Sequence, residues 1–304
     1  MTLPRIGVFD SGVGGLTVLK AMAAQLPAHY LYFGDTARLP YGTKSAETVA
    51  RYAIGATKFL EAQNIDLLVI ACNTATALAL ADIKAAAHVP VVGVVEPGAA
   101  MAAEVSKNRA AIVIATEATV SSHAYRNALR QHGLEAHEKA CPLFVPLVEE
   151  GWIEHPVTEQ VARIYLGEAT AQAPAGADVL VLACTHYPLI APLLRRIVPA
   201  TMEIVDSAAS TAQVVRKMIE ENLASHPERS GLAPATEPSR RACPGLVEGT
   251  SISGAMPSAS AAMSSAAHRT FRFYVTDSVE KFKRLATRFL GRQVDNVEHV
   301  DLGG

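Results

Sequence analysis

Two cysteines occupy matching positions in two similar segments of the chain. Residues 66–74 (DLLVIACNT) align without gaps on residues 178–186 (DVLVLACTH), so Cys72 and Cys184 correspond. Each cysteine follows an apolar run and precedes polar residues. A lone cysteine is more often a buried structural thiol, but the repetition of this context favours a shared chemical role for the pair.

Two thiols on opposite sides of a substrate could invert a carbon centre. Racemisation at Cα requires one ionised group that removes a proton and one protonated group that returns a proton to the other face. The reference thiol pKa of about 8.5 permits both forms near neutral pH. A helix N-terminus after each cysteine would stabilise a thiolate, and Asp10 and His186 could tune the two sites. We therefore predict cofactor-independent racemisation with Cys72 and Cys184 as catalytic acid and base.

Polar residues near the predicted strand ends could bind an acidic amino acid. The turn at residues 10–15 (DSGVGG) can present backbone N–H groups to an anion, although Thr17 replaces the third glycine of a dinucleotide fingerprint. Residues 40–42 (PYG) could be a plain turn, and Glu149 a solvated carboxylate. Short side chains that suit carboxylates and an ammonium group, or that cap helices, are Asn73, Thr74, Thr116, Thr119 and Thr185.

Short apolar runs alternate with longer amphipathic stretches. Uninterrupted apolar strands separated by helices predict parallel sheets covered on both faces. Strands are predicted at residues 6–10, 30–34, 67–72 and 91–95 in a first unit, and at 111–115, 179–184 and 203–205 in a second. Helices are predicted at residues 15–25, 46–63, 76–87, 120–132 and 189–197. Because the units repeat each other, we predict an α/β fold with two pseudo-symmetric doubly wound parallel-sheet domains facing each other across a cleft.

The domain boundaries follow from this repeat. The first lobe is predicted to comprise residues 1–97 and 210–304, and the second lobe residues 98–209. Residues 225–268 are rich in Ser, Ala, Pro and Gly and lack apolar periodicity, which predicts a mobile insertion in the first lobe. Ligands of open α/β sheets bind beyond the carboxyl ends of the strands, so both paired cysteines are expected to face one cleft.

Composition argues against several functional classes. The formal net charge of −2 over 304 residues, with no basic aromatic-rich run, argues against nucleic-acid binding. The longest apolar runs fall far short of the ~20 residues that span a bilayer, and the N-terminus does not have a signal-peptide layout. We therefore expect a cytoplasmic protein that binds no membrane. The four cysteines show no metal-binding spacing, so no metal site is predicted, and Cys141 and Cys243 are expected to be structural.

Five motifs in register resemble bacterial glutamate racemase, of the aspartate/glutamate racemase superfamily. They are DSGVGG at residues 10–15, PYG at 40–42, ACNTA at 71–75, PLVE at 146–149 and CTHYP at 184–188. Each motif alone is weak, but five in order make the resemblance specific. The one departure, the insertion near residues 224–269, lies outside every motif.

The resemblance implies interconversion of L- and D-glutamate without pyridoxal phosphate or metal, which supplies D-glutamate for peptidoglycan. It implies that Cys72 takes the proton from D-glutamate and Cys184 from L-glutamate, assisted by Asp10, Glu149 and His186. It implies a homodimer, and no activation by a peptidoglycan precursor, since the chain lacks the N-terminal extension of relatives so regulated. The implied substrate pocket contains Asp10, Ser11, Pro40, Tyr41, Gly42, Cys72, Asn73, Thr74, Thr116, Thr119, Cys184, Thr185 and His186.

Three alternatives remain at the level of sequence. A racemase of another acidic amino acid, such as aspartate, would carry the same thiols. A non-catalytic amino-acid-binding protein also has two α/β lobes around a cleft, but binding alone has no need of paired thiols. A pyridoxal enzyme would require a lysine in the cleft, whereas Lys20, Lys44 and Lys58 lie on predicted helices or loops away from strand ends.

Overall fold

The computed structural model describes residues 3–225 and 269–303. Cys243 and nearly all of the predicted insertion at residues 225–268 lie outside the described residues. The described chain forms two parallel β-sheets, one of six strands and one of four, each flanked by helices. The predicted α/β fold of two pseudo-symmetric parallel-sheet units is confirmed.

The first part of the chain alternates strands with helices. Its elements are β1 (Arg5–Asp10), α1 (Leu16–Gln25), β2 (His29–Gly34), a 3₁₀ turn (Tyr41–Thr43), α2 (Ala46–Glu61), β3 (Leu67–Ile70), α3 (Asn73–Ala86), β4 (Val91–Gly93) and α4 (Val95–Val105). All four strands are parallel and lie in the order β2-β1-β3-β4. Because β1 and β3 are central and almost wholly buried, their sequences are continuous apolar runs.

The second unit repeats this order. It contains β5 (Ala110–Ala115), α5 (Glu117–Ser122), α6 (Ala124–Gln131), β6 (Glu135–Ala140), α7 (Phe144–Glu150), α8 (Pro156–Ala171), β7 (Val179–Ala183), a 3₁₀ turn (Tyr187–Ile190), α9 (Ala191–Ile197) and β8 (Glu203–Asp206). The strand order β6-β5-β7-β8 matches that of the first unit. Strands β3 and β7 are therefore equivalent, and so are the cysteines that follow them.

The chain then returns to the first sheet. Helix α10 (Ser207–Ser225) packs against α1 and α4. After residues 226–268, strand β9 (Phe271–Val275), helix α11 (Val279–Leu290) and strand β10 (Val297–His299) follow. Strand β9 pairs with β2 and β10 pairs with β9, which completes the order β10-β9-β2-β1-β3-β4. None of the helices in the described ranges is long and apolar enough to cross a membrane.

Several sequence-based boundaries are wrong. The strand predicted at residues 91–95 ends at Gly93, and Val95 begins α4. The helix predicted at residues 120–132 divides at His123, whose φ of 55° is left-handed. Strand β6 (EAHEKA) was not predicted because it is an edge strand with a polar sequence.

Candidate active site

A cavity of about 340 Å³ lies between the two lobes. Cys72 reaches it from the end of β3 and Cys184 from the end of β7, so both thiols line one space. Both side chains are about 95% buried and neither forms a disulfide. The other predicted site residues that line the cavity are Ser11, Pro40, Tyr41, Gly42, Asn73, Thr74, Thr116, Glu149, Thr185 and His186.

Cys72 is held at the N-terminus of helix α3. Its Sγ accepts a hydrogen bond from the Ala75 backbone N–H (3.4 Å) and lies 3.4 Å from the Ser11 hydroxyl. Burial and the nearby Asp10 carboxyl raise the pKa of Cys72 to about 12, although its contacts with Ser11 and Ala75 act in the opposite direction. Cys72 is therefore a protonated thiol at neutral pH.

Cys184 has different neighbours. The predicted helix N-terminus does not directly follow Cys184: a 3₁₀ turn (Tyr187–Ile190) comes first, and helix α9 begins only at Ala191. His186, two residues after Cys184, lies with its Nε2 3.0 Å from Oε1 of Glu149. Burial lowers the pKa of His186, but the interactions with Cys184 and Glu149 outweigh it and raise that pKa to about 10. A positive imidazolium thus stands beside Cys184, whereas a carboxyl stands near Cys72.

Glu149 is not the solvated surface carboxylate that an isolated glutamate would be. Burial acts to raise its pKa, but the hydrogen bond and charge of His186 prevail, and the pKa is lowered. Arg288 of α11 donates hydrogen bonds to the Val148 and Glu149 carbonyls at the end of α7. Helix α11 is therefore tied to the end of α7, the helix that carries Glu149.

Asp10 and Thr119 were expected in the substrate pocket but do not line the cavity. Asp10 is 1% exposed; its Oδ2 accepts a hydrogen bond from the Gly12 N–H (2.9 Å), and burial raises its pKa. Thr119 is fully buried, and its hydroxyl lies 2.9 Å from that of Thr116 and 3.3 Å from that of Thr74. Both residues lie behind the groups that face the cavity and support them.

The loop at residues 40–42 is fixed by a residue that the sequence did not indicate. The Tyr41 phenol donates to Oδ2 of Asp35 (2.5 Å), and the Thr276 hydroxyl donates to Oδ1 (2.8 Å). Asp35 is fully buried. No motif contains Asp35, and only its position directly after β2 could have suggested a role.

Gly14 allows the two lobes to meet at the site. A Cβ atom on Gly14 would overlap the Thr185 hydroxyl and the His186 ring. The Thr17 hydroxyl, one helical turn away, lies 3.1 Å from the Thr185 carbonyl. The glycine turn of the first lobe thus contacts the segment of the second lobe that carries Cys184.

We expect Gly14→Ala to lower kcat/KM at least about tenfold, because overpacking of about 1–3 kcal/mol would displace Thr185 and His186. The measurement is steady-state racemisation together with thermal unfolding. Gly167→Ala is the matched control: a Cβ there meets no atom within 4 Å, and alanine favours the helix. Wild-type kinetics in Gly14→Ala would show that this close contact does not matter.

A metal site needs a cluster of ligating side chains, and a pyridoxal phosphate site needs a lysine in the cavity. Residues 3–225 and 269–303 contain no group of three or more His, Cys, Asp or Glu side chains that could hold a metal ion. Among these same residues no lysine lines the cavity, so none is placed to form a Schiff base with pyridoxal phosphate.

Comparison with known proteins agrees with this geometry. Residues 6–215 match the family described as Asp/Glu/Hydantoin racemase, and the chain therefore belongs to that family of isomerases. It is 58% identical to the glutamate racemase of Koribacter versatilis, over 99% of this chain and 98% of that protein. This relative is a glutamate racemase, an isomerase that acts on an amino acid.

Solved structures show the same relationship. The crystal structure of Thermus thermophilus glutamate racemase in complex with beta-chloro-D-alanine is 39% identical and has a TM-score of 0.75, covering 98% of this chain and 97% of that one. Glutamate racemase from Francisella tularensis in complex with D-glutamate is 30% identical with a TM-score of 0.78, covering 99% of each chain. These matches favour an enzyme over a non-catalytic binding protein.

Proposed function

We propose that this protein interconverts L- and D-glutamate by proton transfer between Cα and two cysteines, without a cofactor. The observation that supports this most directly is that Cys72 and Cys184, at the ends of equivalent strands, line one cavity from two lobes. Glutamate as the substrate is supported by the relatives, which are glutamate racemases over nearly their whole length.

The proposed proton transfer balances within the pair of thiols. One thiolate takes the Cα proton and becomes a thiol, which leaves a carbanion delocalised into the α-carboxylate. The other thiol gives its proton to the opposite face and becomes a thiolate. By family resemblance, Cys184 takes the proton from L-glutamate and Cys72 takes it from D-glutamate.

The neighbours of the thiols suit these roles. In the L-to-D direction Cys72 must begin as the acid, and its raised pKa keeps it protonated. The His186 imidazolium supplies a counter-charge for a thiolate at Cys184, and Glu149 in turn stabilises the imidazolium. Asp10 behind the first lobe's turn would assist Cys72.

The substrate's charged groups would be bound by the polar residues of the cavity. Their hydroxyls, amides and backbone N–H groups can satisfy two carboxylates and one ammonium. Asp10 and Thr119 do not line the cavity and would act by supporting the residues that do. The residues proposed to contact glutamate are Ser11, Pro40, Tyr41, Gly42, Asn73, Thr74, Thr116, Thr185 and His186.

The choice between glutamate and aspartate is tested by circular dichroism. We expect the signal of L-glutamate to decay to zero with purified protein, and the signal of L-aspartate to decay at least about a hundredfold more slowly. Equal rates would show that the cavity does not select side-chain length. If only the signal of L-aspartate decayed, the substrate would be aspartate and not glutamate.

Supply of D-glutamate for peptidoglycan belongs to the same proposal and rests on family resemblance. The homodimer, the cytoplasmic location and the division into lobes at residues 97–98 and 209–210 stay predictions.

A further inference from the structure

The side-chain amide of Asn73, the first residue of α3, is only half satisfied. Asn73 lines the cavity and is 3% exposed. Its Oδ1 accepts a short hydrogen bond (2.6 Å) from the Tyr125 phenol, but its buried Nδ2 has no partner among the described residues. An unpaired buried donor is costly and rare in folded proteins, so this NH₂ group is available to a ligand.

The surroundings of Tyr125 place its phenol against the Asn73 amide. Tyr125 is fully buried and is the second residue of α6. The residue before α6, His123, has a left-handed conformation that separates α6 from α5. Gly98 leaves room for the phenol, since a Cβ on Gly98 would lie 3.3 Å from the Tyr125 oxygen. The bond also joins the two lobes, because Asn73 belongs to the first unit and Tyr125 to the second.

The direction of this bond determines which end of the amide remains free. The Tyr125 phenol contacts the amide oxygen of Asn73, which can only accept, so the phenol is the donor. Burial raises the pKa of Tyr125, so the phenol remains a donor at neutral pH. With Oδ1 engaged by Tyr125, the free end of the Asn73 amide is the donor Nδ2.

We propose that Tyr125 is a positioning residue that orients the Asn73 amide so that Nδ2 donates to a carboxylate of the substrate. This inference rests on the proposed function, because it takes glutamate as the ligand. Tyr125 itself does not line the cavity, and it acts only through Asn73. Without the phenol the amide can rotate and present its oxygen, which repels a carboxylate.

The test is Tyr125→Phe, which keeps the ring and removes the donor. We expect KM to rise about threefold to tenfold for both enantiomers, the fold-change that corresponds to the net value of one hydrogen bond. Because the weakened contact, from Asn73 Nδ2 to a carboxylate, already exists in the bound substrate before proton transfer, kcat should change less than KM. Unchanged KM, or a fall in kcat alone, would overturn the inference.

Two comparisons separate positioning from general packing. Tyr30→Phe removes a similar buried phenol bond, to the Leu26 carbonyl (2.8 Å), and should leave KM unchanged while it lowers the melting temperature. In an Asn73→Ala background, Tyr125→Phe should change KM less than about twofold, since no amide remains to be oriented. An equal effect of Tyr125→Phe in both backgrounds would mean that Tyr125 does not act through Asn73.

A measurement on the wild-type protein covers the case in which Tyr125→Phe does not fold. The side-chain ¹⁵N amide signals of Asn73, assigned by their loss in Asn73→Ala, should shift when glutamate is added, and absence of a shift would contradict the inference. Wild-type protein that racemises glutamate without this shift would disprove only the role of Tyr125 and Asn73. Wild-type protein that does not racemise glutamate would disprove the proposed function itself.

Discussion

Replacing either Cys72 or Cys184 by alanine is expected to lower kcat/KM for glutamate racemisation by at least about 10³-fold, within the range for loss of an essential acid or base. Each variant keeps one thiol in the cavity, but inversion needs a group on both faces of Cα. L- and D-glutamate have equal free energies, so kcat/KM must fall by the same factor in both directions. Circular dichroism from each pure enantiomer measures both values.

Cys141→Ala is the matched control for these variants. Cys141 is also a free and fully buried cysteine, but it does not line the cavity. We expect this variant to keep racemase activity within about threefold of wild type. Near-wild-type racemisation in Cys72→Ala or Cys184→Ala would rule out the two-thiol mechanism.

Deuterium incorporation from solvent is a second test of the same mechanism. In ²H₂O, wild-type protein should place deuterium in the product enantiomer first and leave the recovered substrate little labelled, because each face has its own thiol. A single base that serves both faces would instead return the original proton to the product. Early product without deuterium would therefore contradict a two-thiol mechanism.

The sequence predicted the thiol pair because a duplication is visible in it. Residues 66–74 and 178–186 align without gaps and are identical at five of nine positions, and a parallel sheet places equivalent strand ends at equivalent sites. The predicted strands match closely where they are central and buried, as in β1, β3, β5 and β7. Periodicity reports burial, so it was informative there and uninformative for the polar edge strand β6.

What the sequence could not give depends on contacts between distant residues. Arg288 reaches the end of α7, Thr276 reaches Asp35, and Tyr125 reaches Asn73. Arg288, Thr276 and Tyr125 lie in no motif, and each contact joins elements that are far apart in the chain. Likewise, Thr116 faces the cavity while Thr119 lies behind it, a distinction set by the local turn of α5 and not by residue type.

Glu149→Gln is expected to lower kcat/KM by about tenfold to a hundredfold at pH 8. The decrease in kcat/KM at pH 6.5 should be smaller. The amide can still hydrogen-bond to His186, but it no longer supplies the negative charge that helps to raise the His186 pKa to about 10. The imidazolium beside Cys184 is then lost at lower pH than in wild type. The measurement is a kcat/KM profile between pH 6 and 9.5. Glu150→Gln, at the adjacent exposed position, is the control and should retain the wild-type profile.

The same pair makes the stability difference between wild type and Glu149→Gln depend on pH. The folded-state pKa of His186 is raised, so its contribution is full below the ordinary histidine pKa of about 6.5 and is lost as pH rises through about 10. The pKa of Glu149 is lowered, so its contribution is present above the ordinary value and is lost on acidification. The difference in melting temperature should therefore be largest between about pH 5 and 6.5 and shrink on both sides. A difference that stays constant from pH 5 to 10 would mean that Glu149 stabilises the fold by packing and not through the charge on His186.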